Sequence, residues 1–191
     1  MVWTDDRGRR RLGHSLCGGR LQRAAMLDDY ANMANAAIAL HETLGGGYIA
    51  QAEEWIELAN ALYWDDDGGY FFTATDAKDL IVRTKTATDS AVPSGNGAMV
   101  FALARLFYLT GKQTYRMRAA STVEALGVEA LKSFPHGSTL LNAFELLESA
   151  IQVVVIGDRV SQETTALETA VRGLSLPNLV LDVISDATAL P

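Results

Sequence analysis

Residues 80–99 read LIVRTKTATDSAVPSGNGAM, and the rest of the chain is arranged around them. Arg83, Lys85 and Asp89 lead into a Pro93-Ser94-Gly95-Asn96 turn, and a long apolar helical pattern begins immediately after it. Ser94 or Asn96 can cap that helix, because a side-chain oxygen can accept from first-turn N–H groups that have no partner in the helix. Pro93 fixes φ on the approach, and Gly95 permits close contact with a neighbour. A loop that only reverses the chain does not need two cations, an acid and an amide converging on a helix N-terminus. The stretch is therefore read as the floor of a polar pocket.

Outward from it the chain is helical. Met26, Leu27, Tyr30, Met33, Ala34, Ala37, Ile38, Leu40 and Leu44 recur at spacings of three and four, which predicts a first helix from residue 26. Gly45-Gly46-Gly47 ends it, and a second helix is expected over 48–62 with Ala52, Trp55, Ile56, Ala59 and Leu62 inward. The third, 95–109, is apolar on most sides and is expected to be buried all round. A more polar fourth helix follows the Thr110-Gly111-Lys112 break, over about 113–131. A fifth covers 139–150, with Ser138 as its expected cap. Between the second and third helices, Tyr63-Trp64-Asp65-Asp66-Asp67-Gly68-Gly69-Tyr70-Phe71-Phe72 reads as a β-hairpin or a turn entering a short strand, with Leu80-Ile81-Val82 as the partner strand of a hairpin near 69–83. After residue 152 the grammar changes. A buried strand beginning at Gln152-Val153-Val154-Val155-Ile156, a helix over 161–172 and a second strand over 179–184 predict a parallel pair joined by a crossover helix.

The organisation expected is a basic N-terminal arm (1–23), a helical-hairpin region (24–151) and a strand-helix-strand tail (152–191). The fold class is mainly α: a partial (α/α) toroid with a β-hairpin and a small α/β unit. A faint repeat supports stacked hairpins, since Tyr48 and Ala52 after Gly45 match Tyr115 and Ala119 after Gly111. In such an array the turns at 27–30, 93–96 and 135–138 all precede inner helices and meet at one end.

Composition sets outer limits. The chain has 191 residues, 49% hydrophobic and 20% charged, which suits one globular domain. A formal net charge of −7 argues against nucleic acid or an anionic membrane as the main partner. The arm is the exception: it holds Arg7, Arg9, Arg10, Arg11, Arg20 and Arg23 against Asp5 and Asp6, and is read as a solvated terminus. Cys17 is the only cysteine, so no internal disulfide or thiolate zinc site is available. No metal-ligand spacing, dinucleotide fingerprint, membrane-spanning run or signal-peptide core is present, so no cofactor is expected and a cytoplasmic location is the default.

Leu27-Asp28-Asp29-Tyr30-Ala31, the Trp64-Asp65 turn with Gly69-Tyr70-Phe71, and above all the Arg83, Lys85, Asp89, Pro93-Ser94-Gly95-Asn96 string resemble the YyaL/spermatogenesis-associated protein 20 family. The resemblance runs from about His14 onward. It implies the C-terminal part of a protein in which a thioredoxin-like domain precedes an (α/α)6 toroid. That toroid is akin to six-hairpin glycosidases and N-acylglucosamine 2-epimerases. About three of six hairpins are expected here, without the thioredoxin-like domain, and kinship of fold does not fix function.

Of the candidate site residues, Asp28 and Asp29 point about 100° apart on a helix, so one faces the pocket while the other caps; Asp29 is assigned to the pocket. Asp89 is the second candidate catalytic carboxylate. Tyr30, Trp64, Arg83, Lys85, Ser94, Asn96 and His136 are candidate substrate-binding residues, Arg83 and Lys85 as a clamp for a sugar or sugar-acid ligand. The alternative for the two cations is an ion pair with Asp89 or Asp29. For His136 it is plain exposure, and for Trp64 it is hairpin packing. A partly buried Asp89–Arg83 pair predicts that substitutions at the two positions are strongly non-additive. Half a toroid leaves inner helices without neighbours, so a homo-oligomer is expected. Two functions stay open: a carbohydrate-active or carbohydrate-binding toroid, and a scaffold whose polar cluster is structural.

Overall fold

The computed structural model describes residues 2–5, 8–78 and 80–190; Asp6 and Arg7 of the basic segment lie outside the described residues. Five helices form the body: α1 (Leu27–Leu44), α2 (Tyr48–Tyr63), α3 (Gly95–Thr110), α4 (Gln113–Lys132) and α5 (Ser138–Ser149). The chain is mainly helical. α3 packs against both α1 and α5, and α2 and α4 return along α1 and α3 respectively. The apolar composition of α3 has the expected consequence, since Met99, Val100, Ala102, Leu103, Ala104 and Leu106 are all fully buried. Polar bonds lock the inner helices together. Asn35 on α1 donates to the Ala98 carbonyl of α3 at 2.8 Å, and Arg105 of α3 pairs with the buried Glu42 of α1.

The helix ends follow the glycine breaks. Gly111 closes α3 in the left-handed conformation, with its N–H on the Phe107 carbonyl. Ser94 caps α3, accepting from the Gly97 N–H at 3.1 Å. Ser138 does not cap α5; it is the first residue of that helix, and its hydroxyl donates to Asp89 instead.

The basic segment is not a solvated arm. It folds into an antiparallel three-stranded sheet, β1 (Val2–Thr4), β2 (Arg10–Cys17) and β3 (Arg20–Ala24), in the order β1-β2-β3. Two positive-φ glycines, Gly18 and Gly19, make the β2–β3 turn. Leu12 is buried against α1, where its N–H donates to the Tyr30 hydroxyl at 3.1 Å; the Tyr63 hydroxyl of α2 donates to the Ala25 carbonyl at 2.7 Å. Arg11, also buried, bonds Asp76 rather than water.

The hairpin expected near 69–83 shrinks to one antiparallel bridge, Trp64 with Tyr70. Leu80, Ile81 and Val82 form no strand and are exposed, Ile81 completely. A single Phe72 N–H bond to the Thr84 carbonyl remains of the second pairing. The apolar run has no half-buried face to lie on, and without one its β-propensity carries little weight.

The tail follows its prediction closely: β4 (Ile151–Ile156), α6 (Gln162–Arg172) and a parallel partner β5 (Leu179–Ile184), in register from Ile151–Leu179 to Ile156–Ile184. It closes on the C-terminal end of α1. Arg172 donates to the Glu42 carbonyl at 2.7 Å, and Arg159 donates to the carbonyls of His41 and Glu42 at 3.4 Å each. The His41 carbonyl also accepts from the Gly45 N–H at 2.7 Å, the Glu42 carbonyl lies past the last helical N–H, and cations suit that end of the dipole. Among the described residues, no helix is long and apolar enough to cross a membrane.

Candidate functional site

The N-terminal ends of α1, α3 and α5 meet. A Cβ added at Gly95 would lie 3.0 Å from a Leu27 methyl of α1, and one at Gly97 would lie 2.9 Å from the Leu140 backbone nitrogen of α5. Only glycine at these two positions lets the three ends approach so closely.

Asp89 joins two of them. Its Oδ1 accepts from the Ser94 N–H at 2.8 Å, and its Oδ2 accepts from the Thr139 N–H at 2.9 Å and the Ser138 hydroxyl at 3.2 Å. Its own N–H bonds the His136 carbonyl, so the 135–138 turn is strapped to this loop. Burial works to raise the Asp89 carboxyl, but the two backbone N–H bonds and the Ser138 and Thr139 side chains outweigh it and hold the group below the usual carboxylate range. The ion pair expected with Arg83 or Lys85 is not formed.

Those two cations brace the loop after α2. Lys85 donates to Asp65 Oδ2 at 2.6 Å and to the Gly68 carbonyl at 2.7 Å. Arg83 donates to the Thr73 carbonyl through Nε (3.0 Å) and Nη2 (2.8 Å), and its guanidinium stacks 4.0 Å from the Phe71 ring centroid. The Lys85 hydrogen bond is the main reason the Asp65 carboxyl sits below its ordinary range. The expected clamp thus closes on the protein's own backbone.

Asn96 is buried and saturated. Its Oδ1 accepts from the Tyr70 N–H at 2.8 Å, and its Nδ2 donates to the Tyr70 carbonyl at 2.9 Å and the Thr86 carbonyl at 3.0 Å. The side-chain amide pairs with Tyr70 as a neighbouring strand would. Trp64 packs edge-on against Tyr70 with Arg118 over its ring, Tyr30 is fully buried in the core, and the His136 side chain is exposed.

Beside these helix ends lies a cavity of about 350 Å³, lined by Leu27, Asp28, Phe72, Thr86, Thr88, Ser90 and residues 92–96. Its acidic lining residue is Asp28, not the Asp29 that the sequence reading places in the pocket. Asp29 turns back to accept from the Met26 N–H at 2.8 Å and meets His14 at 2.9 Å. The third helical position is where a carboxylate reaches back over the helix start, and that signal was available in the spacing Met26 to Asp29. Asp28 Oδ1 is buried without a hydrogen-bond partner. Burial, and then the neighbouring Asp29 charge, raise the Asp28 carboxyl above its ordinary value. The threonines and serine of the rim were not singled out from sequence, since isolated hydroxyls in a loop carry no pattern. Thr86 and Thr88 are held by Glu129, Thr88 at 3.1 Å.

No family model matches the chain. Spermatogenesis-associated protein 20 of Rattus norvegicus is 29% identical over 166 residues, which covers 81% of this chain and 20% of that protein. The Homo sapiens protein of the same name is 28% identical over 166 residues, with the same coverage. An uncharacterised protein of Caenorhabditis elegans is 29% identical over 102 residues, covering 53% of this chain and 14% of its own length. The chain thus spans about a fifth of the length of the mammalian relatives it matches. The motifs and these alignments agree: over a partial region, the chain is similar to the spermatogenesis-associated protein 20 family.

Proposed function

We propose that the chain is a carbohydrate-binding portion of an (α/α) toroid, with the sugar seated in the cavity at the inner-helix N-termini. The observation that carries this reading is the placement of Asp28, a carboxyl residue, in the lining of a cavity rimmed by Thr86, Thr88 and Ser90. A carboxyl residue beside three hydroxyl-bearing residues offers the mix of acceptors and donors with which sugar hydroxyls exchange hydrogen bonds. A neutral sugar suits the cavity better than a sugar acid, because Arg83 and Lys85 are engaged elsewhere. Glycoside hydrolysis takes two carboxylates flanking the bond. Asp29 and Asp89 are both held in helix-end bonds, so binding without turnover is expected of this chain alone. The succession of hairpins α1–α2 and α3–α4, with α1, α3 and α5 side by side, supports the toroid. Apolar side chains exposed on α1 (Met33, Leu40, Leu44) and α4 (Met117, Val128, Leu131) support a homo-oligomer. A cytoplasmic location belongs to the same reading. Titrating glucose, mannose, N-acetylglucosamine and glucuronate while following backbone resonances tests the proposal. Saturable shifts at Thr88, Ser90 and Gly95 that vanish in Asp28→Asn support it.

A second reading, a scaffold, is favoured by a specific observation. Ser94, Asn96, Asp89 and Lys85 are all engaged with the protein's own groups. A blank across the sugar panel selects it.

A further inference from the structure

A second cavity lies on the other side of the Leu27–Phe72 backbone bond, between the β1-β2-β3 sheet and residues 73–78 with Leu80. It measures about 590 Å³, larger than the helix-end cavity, and within the range that holds a small organic ligand. Its walls differ in kind from the first. One side is apolar, formed by Trp3, Ala24, Ala25, Met26, Ala74 and Leu80. The other carries the guanidinium of Arg11, a residue only 4% exposed, 5.7 Å from the Trp3 ring centroid.

Among the described residues the lining charges do not cancel, with Arg9, Arg11, Arg23 and Lys78 against Asp5 and Asp76. Asp76 accepts from Arg11 at 2.6 Å and from Arg9 at 3.4 Å, and Asp5 accepts from Arg9 at 2.8 Å. Each lining carboxylate is therefore already held by a guanidinium. Arg11 still has a buried Nε without a hydrogen-bond partner. At the mouth, Arg23 and Lys78 are exposed and make no ion pair with any described residue. In a chain of net charge −7, the described residues thus gather a cationic surplus around one cavity with an apolar wall.

We infer that this cavity is a binding site for a small organic anion, a carboxylate or phosphate carried on an apolar body. The body lies against Trp3, Ala25 and Ala74, and the headgroup faces Arg11 with Arg23 and Lys78 closing over it. Guanidinium and ammonium donors recognise both headgroups through charge-assisted bonds, and a low-dielectric wall strengthens such bonds. The site shares no lining residue with the cavity beside Asp28, so it stands or falls independently of the sugar proposal.

Phenylphosphate, benzoate, benzyl alcohol and inorganic phosphate, each titrated into the full 191-residue chain, test it. The reporter is the Trp3 indole N–H, which donates to the Leu12 carbonyl at 3.1 Å beneath the cavity. Saturable shifts of that resonance and of Ala25 and Ala74 are expected with phenylphosphate or benzoate, and the tighter of the two identifies the headgroup. The double variant Arg23→Ala, Lys78→Ala changes only exposed side chains and is expected to weaken binding about tenfold. No saturable shift with either aromatic anion overturns the site, as does equal binding of benzyl alcohol or an unchanged affinity in the double variant. Inorganic phosphate binding as tightly as phenylphosphate overturns the role of the apolar wall.

Discussion

Asp89 and Thr139 lie fifty positions apart in the chain, and the carboxylate of one accepts the backbone N–H of the other at 2.9 Å. Its second oxygen holds Ser94 at the start of α3, so a single side chain caps two helices that belong to different hairpins. Removing it strands two helix-end N–H groups and unties the ends. Asp89→Ala is expected to destabilise the fold by about 2–4 kcal/mol, from two charge-assisted bonds reduced by partial exposure. Because Asp89 does not touch Arg83, Asp89→Ala and Arg83→Ala should be additive to within about 0.5 kcal/mol. That reverses the coupling predicted from sequence. Denaturant titration of the wild type, both single variants and the double variant measures it.

The two carboxyls at these helix ends should respond to pH in opposite senses. Asp89 is depressed in the folded state, so its contribution is present above the unfolded value of 3.8 and is lost as pH falls through its lower folded pKa. Asp28 is raised, so its burial penalty grows as pH climbs above 3.8 through its higher folded pKa. Asp28→Asn should therefore gain stability over the wild type at pH 7 but not at pH 3. Asp89→Asn should lose stability at pH 7 and lose less at pH 3. Urea midpoints across that range decide both, and parallel curves for the two variants would refute the assignment.

Asn96 replaces a strand neighbour for Tyr70. Asn96→Ala leaves the Tyr70 N–H and two carbonyls unpaired in a buried place, at a cost of about 2–4 kcal/mol. Asn96→Asp keeps the acceptor but turns a carboxylate toward the carbonyls of Tyr70 and Thr86, and should be worse still at neutral pH. Thermal melts of the two variants rank them.

Gly97 and Gly127 are both helical glycines with opposite expected outcomes. A Cβ at Gly97 would stand 2.8 Å from the Thr139 methyl and 2.9 Å from the Leu140 nitrogen, forcing α3 and α5 apart; Gly97→Ala should cost about 1–3 kcal/mol. At Gly127 the nearest atom would be 3.8 Å away, an ordinary contact, and Gly127→Ala should stabilise α4 by about 0.5–1 kcal/mol. Chemical denaturation of the pair provides its own control.

Helix existence was legible because it rests on local periodicity. The apolar spacing from Leu27 onward and the glycine breaks at Gly45 and Gly111 placed α1 to α4 within one or two residues of their observed bounds. The parallel β4–β5 pair was legible for the same reason. The partners of charges were not. Nothing local tells Lys85 to choose Asp65 over Asp89, because that choice depends on where the turn after α2 docks. Nor does the run Arg9-Arg10-Arg11-Leu12 announce a strand. Its charges satisfy acids at Asp5, Asp76 and Glu54, two of them more than forty positions away. Asp28 lines the helix-end cavity and Asp29 caps the helix start, and one step of a helix is all that separates a cap from a cavity wall.

The closure of the tail on α1 has a consequence for how the chain is made. The Glu42 carbonyl appears early in synthesis, yet the guanidinium that donates to it most closely, that of Arg172, follows 130 residues later. Until that residue leaves the ribosome, the Glu42 carbonyl must rely on water or on the longer bond from Arg159. A nascent chain stalled short of Arg172 should hold its hairpins with a frayed α1 end, and completion of α6 is the event that seals it.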